Sequence, residues 1–210
     1  MNTWFAHFRS LLGSAADIED VDEDIPDVLT SLDIDDEPFT AEKIAWVKAA
    51  LQQGESAGPD GISPEVIKNC QFDDIMLEIC NLALTNNEVP RQWSLSNIIP
   101  VSPSGDLGKT NNYRGISLTC ISAKMFHCMI LNWLCCAIQP HLRNNQNGFR
   151  ERSTTAQILA LRGIIEEVKS NNLTAVITFV DVLNRKALDS IHRRKMMKIL
   201  KAYGVSPNLL

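Results

Sequence analysis

The spacing of apolar residues along the chain predicts a largely helical protein with a few short strands. Apolar positions three and four residues apart mark helices over residues 3–12, 40–53, 73–85 and 123–138, and two more that begin near Ser63 and Ser153. The buried faces are expected to be Ile44, Val47 and Leu51; Ile75, Ile79 and Leu82; Phe126, Met129, Ile130, Trp133 and Leu134; and Ile158, Leu161, Ile165 and Val168. Residues 98–101 and 113–118 are predicted to pair as a β-hairpin.

The stretch from Thr174 to Asp189 combines a buried-strand pattern with a carboxylate. Val176 to Val180 is a run of β-branched and aromatic residues with apolar side chains on both faces, which predicts a strand buried in a sheet. The run ends at Asp181. An unpaired buried carboxylate costs several kcal/mol, so Asp181 is expected at an edge, beside a cation or on a metal; alternatively it caps the turn after the strand.

Three arginines stand where an anion can be held. Arg114 belongs to the predicted hairpin, at a tip or on a face, and the alternative is a surface or salt-bridged residue. Arg150 and Arg152 precede a helix that Ser153 or Thr154 can cap, where guanidinium groups and free backbone N–H groups favour phosphate.

Length and composition place the chain among globular proteins. The 210 residues are 45% hydrophobic, enough for a sizeable core and for one or two domains. No uninterrupted apolar run reaches membrane-spanning length and the amino terminus lacks a signal-peptide pattern, so an intracellular protein with no membrane partner is expected. The six cysteines form no CxxC pair, which argues against a zinc site and favours reduced thiols.

Charge is divided unevenly along the sequence. Residues 1–37 hold 11 acids and one base, and the stretch from Asp17 to Glu37 is predicted to be a disordered, solvated linker. Residues 38–210 hold 14 acids and 19 bases, a surplus of five positive charges that is compatible with a polyanionic partner. The acidic tail can compete for that basic body, so removing residues 1–37 is expected to tighten polyanion binding.

Five segments, in this order, resemble the reverse transcriptase of non-LTR (LINE-type) retrotransposons. They are SAGPDGI at 56–62, VPRQWSLSNIIPVSPSGD at 89–106, NNYRGISL at 111–118, NQNGFRERSTTAQILALR at 145–162 and FVDVLNRKALDSIHR at 179–193. The resemblance covers residues 39–210 and implies an α+β fold, mostly helical with short strands, formed by the fingers and the start of the palm of a right-hand polymerase. It divides the chain into a helix at 1–16 that precedes the polymerase, the acidic linker at 17–38, fingers at 39–173 and the start of the palm at 174–210.

The same resemblance implies the site residues and the partners. Asp181 matches the family's first metal-binding aspartate, with the backbone carbonyl of Val182 as a companion ligand for Mg²⁺. Arg114, Arg150 and Arg152 match positions near the template or the incoming nucleotide. RNA template and DNA primer are the implied partners.

The chain also departs from the family pattern. The second metal motif, an aromatic-x-Asp-Asp hairpin, is absent from the 210 residues, and about two extra residues separate Asp181 from Ala187. Leu188 stands where the family has an aromatic residue that screens the sugar 2′ position, and Asp189 suits a helix cap better than a second metal ligand. We therefore expect a fragment of an RNA-directed DNA polymerase that is inactive alone. The alternative is a degenerate remnant that binds RNA or a protein, and self-association through the exposed palm edge is a further expectation.

Overall fold

The computed structural model of the chain describes residues 2–13, 32, 34, 37–101, 106–143, 146–148, 150, 153–179, 192–206 and 209. The helices are α1 (Asn2–Gly13), α2 (Ala41–Ala50), α3 (Pro64–Asn69), α4 (Asp73–Asn86), α5 (Ile121–Ile138), α6 (Thr154–Ser170) and α7 (Arg193–Ala202). Strands β1 (Ser96–Val101) and β2 (Arg114–Thr119) form a two-stranded antiparallel sheet. Residues 1–137 and 186–210 make one compact unit, and residues 138–185 make a second.

The first unit is built on a core that α2, α4 and α5 share. Thr40 caps α2 by accepting a hydrogen bond from the backbone N–H of Lys43, and Ile44 and Val47 are buried, as their spacing predicts. Helix α2 ends at Ala50, three residues before the predicted stop, while Gly54 takes a left-handed backbone (φ 78°) in the turn that follows. Phe39 stacks on Trp133 of α5 with ring centroids 4.5 Å apart, which joins the start of α2 to the far end of α5.

Helix α4 buries a face that differs from the predicted one. Its buried residues are Met76, Cys80 and Ala83, whereas Ile75, Ile79 and Leu82, expected inside, are exposed by 60%, 36% and 51%. The physical reason lies in Asn81. Its side chain accepts from the backbone N–H of Phe39 (2.7 Å) and donates to the Phe39 carbonyl (3.1 Å), which fixes the rotation of α4 about its axis. The predicted buried face of α4 is therefore wrong by about one residue, or about 100°.

The hairpin and α5 follow the prediction closely. Residues 96–101 of β1 pair with residues 114–119 of β2, with Val101 opposite Arg114 at the loop end. Helix α5 starts at Ile121, two residues before the predicted start, and Phe126, Met129 and Trp133 are buried as expected. Helix α1 lies beside the hairpin, where the edge of the Trp4 ring meets the Tyr113 ring at 4.7 Å.

One described stretch, Ile121–His141, is long and apolar enough to cross a membrane. Lys124 lies within this stretch, so it is not an uninterrupted apolar run, and the expectation of no membrane partner stays a prediction. Core helices of globular proteins satisfy the same test, and six side chains of α5 are buried in the shared core.

The described residues of the second unit bury few apolar side chains. Helix α6 has no buried side chain; Leu161, Ile165 and Val168 are half-buried, and Ile158, predicted to face inward, is 64% exposed. Residues 174–179 are not a strand, and Val176 and Phe179 are 90% and 80% exposed, so the predicted buried strand is wrong over its described part. A strand needs a partner to bond with, and the only sheet among the described residues is the hairpin of the first unit. The predicted fingers–palm boundary at residues 173/174 stays a prediction.

Only four residues of the predicted acidic linker are described: Leu32, Ile34, Glu37 and Pro38. Leu32 is 5% exposed, and its backbone N–H donates to the carbonyl of Tyr203 at 3.0 Å, just after the end of α7. At Leu32 the prediction of a solvated linker is therefore wrong. The chain is attached there to the residue that follows α7, a helix with five cations.

Candidate nucleic-acid and metal-binding site

The predicted metal position lies outside the described residues. Asp181, Val182, Arg152 and Leu188 all fall there, as does Asp189. Among the residues that the structure describes, no group of three or more His, Cys, Asp or Glu side chains could hold a metal ion. The assignment of Asp181 and Val182 to Mg²⁺ thus rests on the sequence.

Arg114 is the first residue of β2 and stands at the loop end of the hairpin, the location that its sequence position predicts. Its side chain is exposed. The neighbouring backbone is held by Tyr113, whose hydroxyl donates to the carbonyl of Leu107 at 3.1 Å, and by Asn112, whose amide donates to the carbonyl of Asp106 at 2.9 Å. The guanidinium is therefore presented to solvent from a braced turn, where it can reach an anion.

Arg150 is already used by the protein itself. Its Nε donates to the side-chain oxygen of Gln139 at 2.8 Å, and one terminal nitrogen donates to the carbonyls of Arg143 (3.0 Å) and Gln146 (3.3 Å). The other terminal nitrogen donates to the backbone carbonyl of Gln139 at 3.3 Å. Because carbonyls after a helix have no helical partner, Arg150 works here as a clamp that closes the loop after α5. A nucleotide at this guanidinium would have to replace several of these hydrogen bonds.

The glycine-rich loop at residues 56–62 lies against the junction of β2 and α5. Gly58 is buried, and a Cβ there would come within 2.5 Å of the Thr119 carbonyl oxygen and the Cys120 nitrogen. The Asp60 carboxylate accepts from the backbone N–H of Ile62 at 3.2 Å, and the turn closes with the bond from the Gly61 N–H to the Gly58 carbonyl. The loop thus packs against the two residues that directly follow the segment at 111–118.

A thiol lies at this junction. Burial raises the pKa of Cys120 above its ordinary value, and the nearby Asp60 carboxylate raises that pKa further. The Cys120 Sγ–H donates to the carbonyl of Gln92 at 3.5 Å. A thiol held protonated in this way is a packing group and not a nucleophile.

Several cations in the middle of the chain form ion pairs with nearby acids. Lys48 pairs with Asp73 at 2.6 Å, and Lys124 pairs with Glu55 at 2.5 Å. On the surface of α6, Arg162 pairs with Glu166 at 2.8 Å. These cations brace the fold, so they contribute little free positive potential.

Helix α7 is a concentration of positive charge that reasoning from motifs missed. Its sequence, RRKMMKILKA, holds five cations and no acid. The signal was available in the sequence, because counting charge by segment and not over the whole body isolates this helix.

No protein-family model matches the chain.

Proposed function

We propose that the chain is part of a non-LTR reverse transcriptase, catalytically incomplete as a 210-residue protein. The order and spacing of the five motif segments carry this proposal. In it, the fingers comprise residues 39–173, and Asp181 is the first metal-binding aspartate of the palm.

The packing of the glycine-rich loop supports a common origin for the motifs. The loop at 56–62 contacts Thr119 through Gly58, and Thr119 directly follows the segment at 111–118, of which β2 contains residues 114–118. A backbone contact this close depends on glycine at that position. Segments that must fit each other in this way belong to one structural unit, which favours a single origin over chance similarity.

The donor set of the chain does not fit a complete two-ion magnesium site. Phosphoryl-transfer sites of this kind use two ions about 4 Å apart, and Mg²⁺ needs several carboxylate and water oxygens in near-octahedral geometry. Asp181 is the single carboxylate that a motif supports, and Val182 adds one carbonyl oxygen. One carboxylate and one carbonyl cannot hold two ions, so a protein made of these 210 residues is expected to perform no template-directed synthesis.

A chimera tests this proposal. Residues 1–210 are joined to the downstream half of a functional relative, with and without two repairs: deletion of two residues within 182–185 and the substitution Leu188→Phe. Two extra residues in a helical segment rotate the downstream residues by about 200°, so the repaired chimera is expected to extend a primer better than the unrepaired one. Asp181→Ala should abolish the activity that appears.

The outcomes separate the parts of the proposal. Primer extension in Mg²⁺ by the 210-residue protein, lost on Asp181→Ala, would refute catalytic incompleteness. Activity of the repaired chimera that survives Asp181→Ala would refute the site assignment. Activity in neither chimera, with both folded, would count against the polymerase origin.

The second candidate is a non-catalytic remnant that binds RNA. The cations of α7 favour it, because they sit on one short helix without an acidic residue. Binding to a single-stranded RNA that weakens linearly in log affinity as log salt rises is the expected result. Absence of RNA binding at low salt would exclude this candidate and leave the first untouched.

A further inference from the structure

The surplus positive charge of residues 38–210 lies in a single helix, α7. Residues 38–210 hold 19 bases and 14 acids, and five of those bases with none of those acids lie in α7. Residues 38–192 and 203–210 together therefore hold 14 bases and 14 acids and are neutral. The basic character of the body is a property of one ten-residue helix, and not of the fingers.

The arrangement of charge within α7 opposes helix formation. Arg193, Arg194 and Lys195 occupy its first turn, where the positive end of the helix dipole disfavours cations. Lys198 follows Arg194 at i+4 and Lys195 at i+3, so these neighbouring pairs are like-charged. The helix itself contains no acid, and a polyanion bound at Arg193 and Arg194 would offset their unfavourable position at the positive end of the helix dipole.

The placement of the helix leaves the charged side outward. Leu200 is half-buried and Ala202 is buried, while Arg193, Arg194, Lys198 and Lys201 are exposed. Arg194, Lys198 and Lys201 fall on one stripe of the helix, spaced i, i+4 and i+7, which spans about 10 Å. A stripe of this length can contact consecutive phosphates of one strand.

Among the described residues, cations that form no ion pair cluster in α7, whereas others such as Arg91, Arg143 and Lys169 are scattered along the chain. Lys48, Lys124 and Arg162 form ion pairs, and Arg150 is bonded to carbonyls. Within the same described part of the chain, Arg193, Arg194 and Lys201 take part in no ion pair.

We propose that α7 is the surface through which this chain binds the phosphodiester backbone of single-stranded RNA. The inference rests on the proposed RNA-binding function and assigns it to a helix of which the motif segments include only the first residue, Arg193. An anionic membrane is the competing partner, since Met196, Met197 and Ile199 are about 40% exposed. RNA is favoured because Ala202 and Val205 are only 4% and 3% exposed and the Tyr203 carbonyl accepts from the Leu32 N–H, so the C-terminal end of α7 is held by the protein and is not free to enter a bilayer.

Two matched triple variants test the assignment. In the full 210-residue protein, Arg193→Gln, Arg194→Gln and Lys201→Gln remove three charges from α7, and glutamine keeps a good helix propensity. The control, Arg91→Gln, Arg143→Gln and Lys169→Gln, removes three exposed cations elsewhere and changes the net charge equally. Affinity for a 20-nucleotide polyuridine is measured by fluorescence anisotropy from 25 to 300 mM salt, with phosphatidylserine vesicles as a parallel arm.

The α7 variant is expected to lose affinity roughly tenfold or more at low salt, and its salt slope should fall by about two, since each phosphate contact on a single strand contributes about 0.7. The control should change affinity less than about threefold. A second readout needs no variant: in the wild-type protein, RNA should protect Lys201 but not Lys169 from acetylation.

Equal losses in both variants, without protection of Lys201, would overturn the assignment to α7 while RNA binding itself stands. Wild-type protein that binds the vesicles and not the RNA would overturn it in favour of the membrane. Wild-type protein that binds neither would overturn both the assignment and the RNA-binding candidate, and would leave the polymerase proposal to the chimera test.

Discussion

Gly58 packs against the backbone of Thr119, so that a Cβ at position 58 would stand 2.5 Å from the Thr119 carbonyl oxygen. The same Cβ would stand 2.5 Å from the backbone nitrogen of Cys120, immediately before α5. This contact ties the loop after α2 to the place where the hairpin ends and the central helix begins. Neither neighbour can yield, because both are backbone atoms at the end of paired structure.

Replacing Gly58 with alanine should therefore destabilise the first unit. We expect a loss of about 2–3 kcal/mol in unfolding free energy, because the methyl group forces backbone to move. The comparison is Gly163→Ala in α6, where no atom lies within 4 Å and alanine should stabilise the helix by about 0.5–1 kcal/mol. Urea unfolding followed by circular dichroism measures both. A Gly58→Ala protein as stable as the wild type would show that the loop does not lie where the structure puts it.

The cysteines should divide into two reactivity classes. Cys80 is fully buried, and burial raises the pKa of its thiol to about 12, so at pH 8 only about one molecule in ten thousand carries the thiolate. Cys70, Cys135 and Cys136 are exposed. We expect these three to react rapidly with a thiol reagent at pH 8, and Cys80 to react only after denaturation, as read by mass spectrometry of the labelled peptides.

Labelling at a higher pH serves as a control for this result. Because the thiolate fraction rises tenfold per pH unit below the pKa, labelling of Cys80 in the folded protein should stay negligible at pH 9. Labelling of Cys80 at the rate of Cys135 would contradict the burial of α4 against α2.

Local patterns in the sequence predicted most of the helices and the hairpin correctly. The features that they did not predict depend on contacts between residues distant in sequence. Thr40 with Ile44 and Val47 sufficed for α2, and the apolar run of β1 with its partner sufficed for the hairpin, because caps and periodicity are local. The buried face of α4 could not be read, since it depends on the bond between Asn81 and Phe39, 42 residues apart. Helix α4 has two apolar stripes, and the hydrogen bonds between Asn81 and Phe39 determine which of them is buried.

The candidate site shows the same division. The position of Arg114 at the hairpin end follows from sequence, because strand pairing fixes it. The use of Arg150 as a loop clamp does not, since it depends on carbonyls of Gln139, Arg143 and Gln146 that only the fold brings together. Motif matching also directed attention to arginines near polar loops. It did not point to α7, because only Arg193 of that helix lies in a motif segment.

The stretch at 174–179 should make the protein associate. Residues 171–180, NNLTAVITFV, contain no charge and several β-branched residues, and Val176 is 90% exposed. Such a segment pairs readily with a copy of itself. We expect concentration-dependent association in sedimentation, with a rise in intermolecular β-sheet by infrared spectroscopy.

A single lysine substitution tests whether this segment, and not exposed apolar surface in general, causes the association. Val176→Lys should weaken association about tenfold, because a charge placed in a paired strand opposes its identical neighbour. Ile164→Lys is the control, since Ile164 is also an exposed apolar residue of the same unit but lies in α6. A wild-type protein that stays monomeric and unfolds cooperatively at micromolar concentration would rule the idea out.

Neutralising acids in the amino-terminal segment should tighten RNA binding at low salt. The backbone bond between Leu32 and Tyr203 attaches this acidic segment beside the end of α7, and residues 1–37 carry a net ten negative charges. Deleting residues 1–37 is the less informative experiment, because α1 goes with them, and the ring of Phe8 is 2.7 Å from where a Cβ on Gly115 would stand. Asp22→Asn, Glu23→Gln and Asp24→Asn together leave α1 and Leu32 unchanged. A control with Asp74→Asn, Glu78→Gln and Glu88→Gln removes three exposed acids outside the segment.

If the segment competes with RNA for the cations, the first variant should bind several-fold more tightly than both the wild type and the control at 25 mM salt. The difference should disappear near 0.5 M salt, where the screening length falls to a few ångströms. Equal tightening by both triple variants would mean that only net charge matters. Equal affinity of all three proteins at 25 mM salt would mean that the acidic segment and α7 do not act on the same ligand, and electrostatic competition would then be wrong even if α7 binds RNA.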